Sequence, residues 1–140
     1  MAVAAWDNKP EIVNILIDNG GLGENGAAYG ALHGAITHRM FKAVERLINE
    51  GCDVNESYIN VTPLGTSLTC GKNKSGDARL VKRLLNAKAD ILGITKLCWS
   101  PYYKGKMTEV VNVARTYSNS RCVELIEVAY YSALKQQLKI

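Results

Sequence analysis

Proline is scarce in this sequence, with only 3 in 140 residues, and no stretch has a low-complexity composition. Apolar residues make up 47% and charged residues 21%, which is the balance of a folded chain and not of a disordered one. The apolar runs are too short to cross a bilayer, and no basic-then-apolar leader precedes a small-residue cleavage site. We therefore expect one domain over residues 1–140, located inside the cell, in the cytoplasm or alternatively in the nucleus.

Closely spaced cysteine pairs are also missing. Cys52, Cys70, Cys98 and Cys122 lie far apart, whereas a metal site draws two ligands from a single turn of chain. We interpret them as unrelated reduced thiols, with disulfides as the alternative, and expect no metal site. Only two histidines occur, without a matched nucleophile and orienting group, so the sequence predicts no catalytic residues and no enzyme activity.

Two glycine-rich stretches resemble nucleotide-binding loops but fail their requirements. Residues 21–26 spell G-x-G-x-x-G, yet they follow a helical pattern instead of a strand. Gly71-Lys72 is followed by Asn73, where a phosphate-binding loop needs Ser or Thr to reach magnesium. The sequence therefore predicts no bound cofactor.

Charge is distributed unevenly along the chain. Residues 1–70 carry 4 basic and 8 acidic side chains, whereas residues 71–140 carry 13 and 5. Most of the basic excess lies in residues 72–106, with 9 basic and 2 acidic side chains. A solvated basic surface is the simpler interpretation of this segment, and an acidic partner is the alternative.

Aromatic residues and a helical row of charges lie within the same basic segment. Basic residues interleaved with aromatics suit single-stranded nucleic acid, and Trp and Tyr equally suit a protein interface. The aromatics are Trp99, Tyr102 and Tyr103, alongside the basic Lys96, Lys104 and Lys106. The row, which we expect to be solvated, is Arg79, Lys82 and Arg83.

A repeated pattern organises the chain. Three segments end in similar ways, as LIDNGGLGEN, LINEGCDVNE and LLNAKADILG. Each closes an apolar helical stretch with a turn, and each follows a second, shorter helical stretch. The pattern predicts an all-α fold of about four antiparallel helix pairs, at residues 2–19, 31–50, 63–87 and 109–138.

Local signals mark the ends of these helices. Thr62 can cap free N–H groups, and Pro63 fits the first turn of a helix, where no N–H is needed. Gly20 and Gly51 follow second helices, at a place where a left-handed residue is commonly required. Lys88 replaces the glycine at the corresponding place in the third unit.

These features resemble the ankyrin repeat, whose unit has about 33 residues and a T-P-L-H-x-A signature. The matching stretches are TPLG (62–65), ALHGA (31–35), CDVN (52–55) and ADI (89–91). The resemblance implies a solenoid with short β-hairpin-like connections, in which His33 hydrogen-bonds within the turn network. The implied units are residues 1–25, 26–56, 57–93 and 94–140.

The chain departs from the ankyrin pattern at several places. The first unit lacks its hairpin, so the stack either begins with a truncated repeat or is a piece of a longer protein. Residues 71–75 are inserted between the helices of the third unit, and residues 92–107 form a long excursion before the fourth. The last helix runs on beyond its unit, where it could cover the open end of the stack.

The resemblance implies a non-catalytic protein-interaction module, an adaptor or scaffold, that binds a protein partner through a concave groove. Its groove would be formed by the residue pairs that end each first helix and by the hairpin tips. The implied partner-binding residues are Trp6, Asp7, Tyr29, Thr37, His38, Tyr58, Ile59, Thr69, Cys70, Thr116 and Tyr117. Trp6 could instead pack under the first unit as part of a cap. The alternative function is binding of nucleic acid or another acidic ligand through residues 72–106.

Overall fold

The computed structural model describes residues 1–22, 30–71, 73, 75–96 and 107–139, with only the backbone of Lys96. These residues contain eight helices in four consecutive pairs, which confirms the predicted all-α class. The first two pairs are α1 (Ala2–Trp6) with α2 (Pro10–Asp18) and α3 (Ala31–Thr37) with α4 (Phe41–Asn49). The other two are α5 (Pro63–Thr69) with α6 (Ala78–Asn86) and α7 (Val110–Tyr117) with α8 (Ser120–Leu138).

A small antiparallel sheet precedes the last pair. β1 (Ile94–Lys96) pairs with β2 (Met107–Glu109), and Thr95 lies opposite Thr108. The sequence predicted only a long excursion here, because three-residue strands carry too little alternation to be recognised. The predictions for Cys98, Trp99, Tyr102, Tyr103, Lys104 and Lys106 lie outside the described residues.

The helix pairs stack in two rows. In the first row, α3 packs against α1 and α5, and α5 packs against α7. In the second row, α2 packs against α4 and α6 packs against α8, while each helix also packs against the other member of its pair. Neighbouring pairs bury their apolar side chains against each other, and the largest of these include Ile36, Leu47, Leu64, Leu84 and Ile126.

Side-chain caps begin three of the helices. The Oγ1 atom of Thr62 accepts a hydrogen bond from the backbone N–H of Gly65 at 3.0 Å, as the Thr-Pro signal predicts. Asp77 accepts from the first N–H groups of α6, and Asn119 accepts from the N–H of Cys122. These caps fix where α5, α6 and α8 begin.

Left-handed residues end the second helices of the first three pairs. Gly20 has a φ of 73°, Gly51 of 92° and Lys88 of 67°. The expectation for both glycines is confirmed. Lys88 adopts the same conformation although it has a Cβ, because the chain must turn at the same point after α6.

Arginines of α4 and α6 tie these two helices to the preceding helix of the second row. Arg46 of α4 donates to the Oδ1 atoms of Asn14 and Asp18 in α2. Arg83 of α6 donates to Glu45 at 2.6 Å and to Asn49 at 3.1 Å, both in α4. Arg46 and Arg83 are each the sixth residue of their helix, so the contact repeats in register.

Candidate partner-binding site

The ends of α1 and α3, the first helices of the first two pairs, lie together, as the register of the sequence predicts. The ring Nε2 of His38, which follows α3, lies 2.8 Å from the backbone oxygen of Trp6 at the end of α1. A carbonyl oxygen can only accept, so the Nε2–H group of His38 donates this bond. His38 and Asp7 are both exposed beside it.

An aromatic cluster adjoins these helix ends. The ring of Tyr58 lies 5.4 Å from that of Trp6 and 5.7 Å from that of His33, measured between centroids. Trp6 and Tyr58 are half-buried, so each packs within the fold on one side and is accessible on the other. Trp6 thus contributes to packing at the first pair and also to the surface.

A tight turn after Tyr58 projects the side chain of Ile59 into solvent. Tyr58 and Val61 exchange two backbone hydrogen bonds, of 2.9 and 3.0 Å. Between them, Ile59 and Asn60 both have positive φ, 50° and 63°, which is the geometry of a type I′ turn. The side chain of Ile59 is 62% exposed. We call Trp6, Asp7, His38, Tyr58 and Ile59 the aromatic patch.

His33 supports this turn from below. It is buried, and its Nε2 lies 2.8 Å from the carbonyl oxygen of Val61, to which it donates in the neutral form. Burial lowers the pKa of His33, and the hydrogen bond to Val61 opposes that shift in part. The bond that the ankyrin resemblance implied for His33 is confirmed.

The lowered pKa of His33 makes the stability of the fold depend on pH. Below the ordinary value of 6.5, the unfolded chain binds a proton that the folded chain does not, so the free energy of unfolding falls. Above 6.5 the group has no effect. We expect a His33→Gln variant to lose this dependence of the free energy of unfolding on pH between pH 6.5 and about 5, below which carboxylates also titrate. Urea unfolding at several pH values measures it. The His38→Gln variant should keep the slope, and a slope that survives in His33→Gln would contradict the assignment.

Two of the predicted partner-binding residues point inward. Cys70 is 6% exposed, and its Sγ lies 3.4 Å from the carbonyl oxygen of Ser67. The backbone at Cys70 is extended, with a ψ of 168°, whereas at His38 after α3 ψ is 5°. The prediction for Cys70 is therefore wrong, because the two helices end differently. The hydroxyl of Thr37 is buried too, without a hydrogen-bond partner among the described residues.

The remaining predicted residues lie elsewhere or are only partly available. Thr69 is half-buried, and its hydroxyl lies 3.4 Å from the carbonyl oxygen of Gly65. Thr116 is exposed and Tyr117 is half-buried, and both lie at the end of α7, separated from Trp6 by α3 and α5. Tyr29 lies outside the described residues.

Two of the three basic residues in the row on α6 contact other side chains of the protein. The guanidinium of Arg79 lies 4.0 Å from the ring centroid of Phe41, a cation–π distance. Arg83 binds Glu45 and Asn49, as described above. The third residue, Lys82, is exposed, as expected for a solvated surface.

The described cysteines are buried free thiols. Burial raises the pKa of Cys52 to about 11 and that of Cys70 to about 12, and it also raises the pKa of Cys122. Thiols with such pKa values stay protonated at neutral pH and are poor nucleophiles. Within the described ranges, no group of three or more His, Cys, Asp or Glu side chains could hold a metal ion.

No protein-family model matches the chain, and no curated protein matches it. The part of the chain that the structure describes contains no helix with both the length and the apolar composition to cross a membrane. The class that these residues define is an all-α protein built of stacked helix pairs, with an aromatic patch where the first two pairs meet.

Proposed function

We propose that this chain is an ankyrin-like, non-catalytic adaptor that binds a protein partner through the aromatic patch. The bond between His33 and Val61, the Thr62 cap and the left-handed residues after α2, α4 and α6 support the ankyrin assignment. The three cysteines that the structure describes are buried free thiols, which supports the cytoplasm as the compartment of the protein.

Ile59 carries the proposal. A β-branched residue in the left-handed region costs about 1–2 kcal/mol, and Asn or Gly is the usual residue at this place in the turn. The side chain is 62% exposed, so it recovers little of that cost by burial in the fold. Contact with a partner supplies a reason for isoleucine at this position that stability does not. An exposed aliphatic residue directly after Tyr58, whose ring packs on that of Trp6, suits the centre of an interface.

The Ile59→Asn variant separates binding from folding. We expect its free energy of unfolding to rise by about 1 kcal/mol, since asparagine tolerates the left-handed conformation. Its affinity for the partner should fall at least ~10-fold through loss of the apolar contact. Unfolding is followed in urea, and binding is measured with the partner captured from cells that produce the protein and then purified.

A matched control is Ile94→Asn, which changes an isoleucine of similar exposure, 57%, in β1. It should bind like the unmodified chain. Undiminished binding by Ile59→Asn would contradict the proposal. If binding instead weakens steeply as salt is added, and is lost when Lys96, Lys104 and Lys106 are neutralised, the basic segment is the binding site.

A further inference from the structure

The stacked rings of the aromatic patch bring two carboxylates to one surface. Asp7 follows Trp6 directly, and Glu56 precedes Tyr58 by two residues, which span at most ~7 Å of chain. Because the centroids of the Trp6 and Tyr58 rings lie 5.4 Å apart, both carboxylates border the patch. Asp7 is exposed and Glu56 is half-buried, and neither takes part in a salt bridge within the described residues.

Two further carboxylates extend this border. Asp53 lies in the same loop as Glu56, whose backbone N–H donates to the carbonyl oxygen of Asp53 at 3.3 Å. Asp90 comes from the loop after α6, and its backbone N–H donates to the Oδ1 atom of Asn55 at 2.8 Å. Asp53 and Asp90 are both exposed, and each uses one carboxylate oxygen to accept a backbone N–H from two residues further along the chain. We call Asp7, Asp53, Glu56 and Asp90 the acidic border.

Neighbouring basic side chains do not cancel the charge of the acidic border. Arg39 follows His38, but its guanidinium lies 2.7 Å from the carboxylate of Asp77, to which it is bound. The lysines nearest to the border along the chain are Lys9 and Lys88, which are exposed and make no salt bridge within the described residues. Four carboxylates therefore compare with two lysines, and we expect a negative potential at the patch.

We propose that the partner, if it binds the aromatic patch as proposed above, presents a basic segment whose arginine side chains pair with the acidic border. Arginine suits this surface because its planar guanidinium binds a carboxylate through two hydrogen bonds and also stacks on aromatic rings. Its methylene groups can pack against Ile59, which is 62% exposed. Opposite charges across the contact speed association and reject acidic partners.

Two short peptides serve as probes of this surface. One alternates arginine and leucine, and its counterpart carries glutamate in place of every arginine. Fluorescence anisotropy of a label on each peptide measures its binding to the unmodified chain. We expect the arginine peptide to bind with a dissociation constant below ~1 mM, and the glutamate peptide to bind at least ~10-fold more weakly. Raising the salt concentration from ~50 to ~500 mM should reduce this difference, because salt screens exposed charges.

The double variant Asp7→Asn with Glu56→Gln tests the acidic border. Asp7 lies at the C-terminal end of α1, where the helix dipole disfavours a negative charge, so we expect the variant to keep its melting temperature. Its affinity for the arginine peptide should fall at least ~10-fold. The matched control is Glu124→Gln with Glu127→Gln, which removes two charges from α8 in the last helix pair. This control should bind like the unmodified chain.

Reversing the charges is a second test. A variant with both Asp7→Lys and Glu56→Lys should bind the glutamate peptide more tightly than the arginine peptide. Three outcomes would overturn the inference: equal binding of the two peptides to the unmodified chain, no binding of the arginine peptide up to ~1 mM, and equal losses in the Asp7–Glu56 variant and its control.

The proposed function is judged separately, by the purified partner and the Ile59→Asn variant. A partner whose affinity depends on Ile59 but not on Asp7 and Glu56 would leave the proposed function standing and overturn this inference. A partner whose affinity depends on all three residues would support both.

Discussion

Replacing Asp77 by alanine is expected to lower the free energy of unfolding by about 3 kcal/mol. The carboxylate of Asp77 is 6% exposed and caps α6, accepting from the N–H groups of Arg79 and Leu80 at 3.0 and 3.3 Å. The same carboxylate accepts a hydrogen bond of 2.7 Å from the Nε of Arg39, which follows α3, and its Oδ2 also lies 2.7 Å from the Nη2 of Arg39 in a salt bridge. Alanine removes the cap and the link between two helix pairs together. Urea unfolding followed by circular dichroism measures the loss.

The Asp77→Asn variant divides this effect into its two parts. Asparagine caps a helix about as well as aspartate, so α6 keeps its start and only the charge is lost. Since Arg39 is 52% exposed and solvent screens the pair, we expect Asp77→Asn to cost only about 1 kcal/mol. Equal losses in the two variants would show that the ion pair, and not the cap, supplies the stability.

Replacing Gly34 by alanine is expected to destabilise the fold by about 2 kcal/mol, although alanine is the better helix former. An added Cβ would lie 2.9 Å from both the carbonyl carbon of Ala5 and the backbone nitrogen of Trp6. These are backbone atoms, so α1 must move away from α3 as a whole. Thermal and urea unfolding test this, and a gain of about 1 kcal/mol would mean that helix propensity alone decides.

Gly65→Ala is the comparison for this change. Its Cβ would lie 2.6 Å from the Oγ1 atom of Thr95, which is a side chain and not a backbone. A Thr95→Ala background removes that atom, so we expect Gly65→Ala to be better tolerated there than alone. The backbone contact at Gly34 offers no such relief, and rescue of Gly34→Ala by Thr95→Ala would contradict this account.

The helix boundaries could be predicted closely because the signals that set them are local. Thr62 and Pro63 begin α5, and the left-handed Gly20 and Gly51 follow α2 and α4, as the sequence indicates. Capping and turn conformations depend on a few neighbouring residues. The strands β1 and β2 were missed because their pairing joins residues near the two ends of the excursion, and so short a strand has no pattern of its own.

The candidate site could be predicted only in part. The prediction that Trp6 and His38 lie together, made from their equivalent positions at the ends of first helices, agrees with the bond between them. It failed at Cys70, because α5 ends in an extended residue and α3 does not. Nor could register show that Tyr58 stacks on both Trp6 and His33, which depends on how the turn folds back.

The sequence by itself determined that the chain forms helix pairs and, closely, where each pair begins and ends. Those features follow from apolar spacing and from caps, which act between residues a few positions apart. Only the tertiary structure decided which apolar residues remain uncovered. Ile12 and Leu80 occupy the same position in their helices, yet one is 48% and the other 1% exposed. Side chains of α6 contact the preceding pair at Phe41 and Glu45, whereas α2 belongs to the first pair that the structure describes, and burial is set by what lies opposite a side chain.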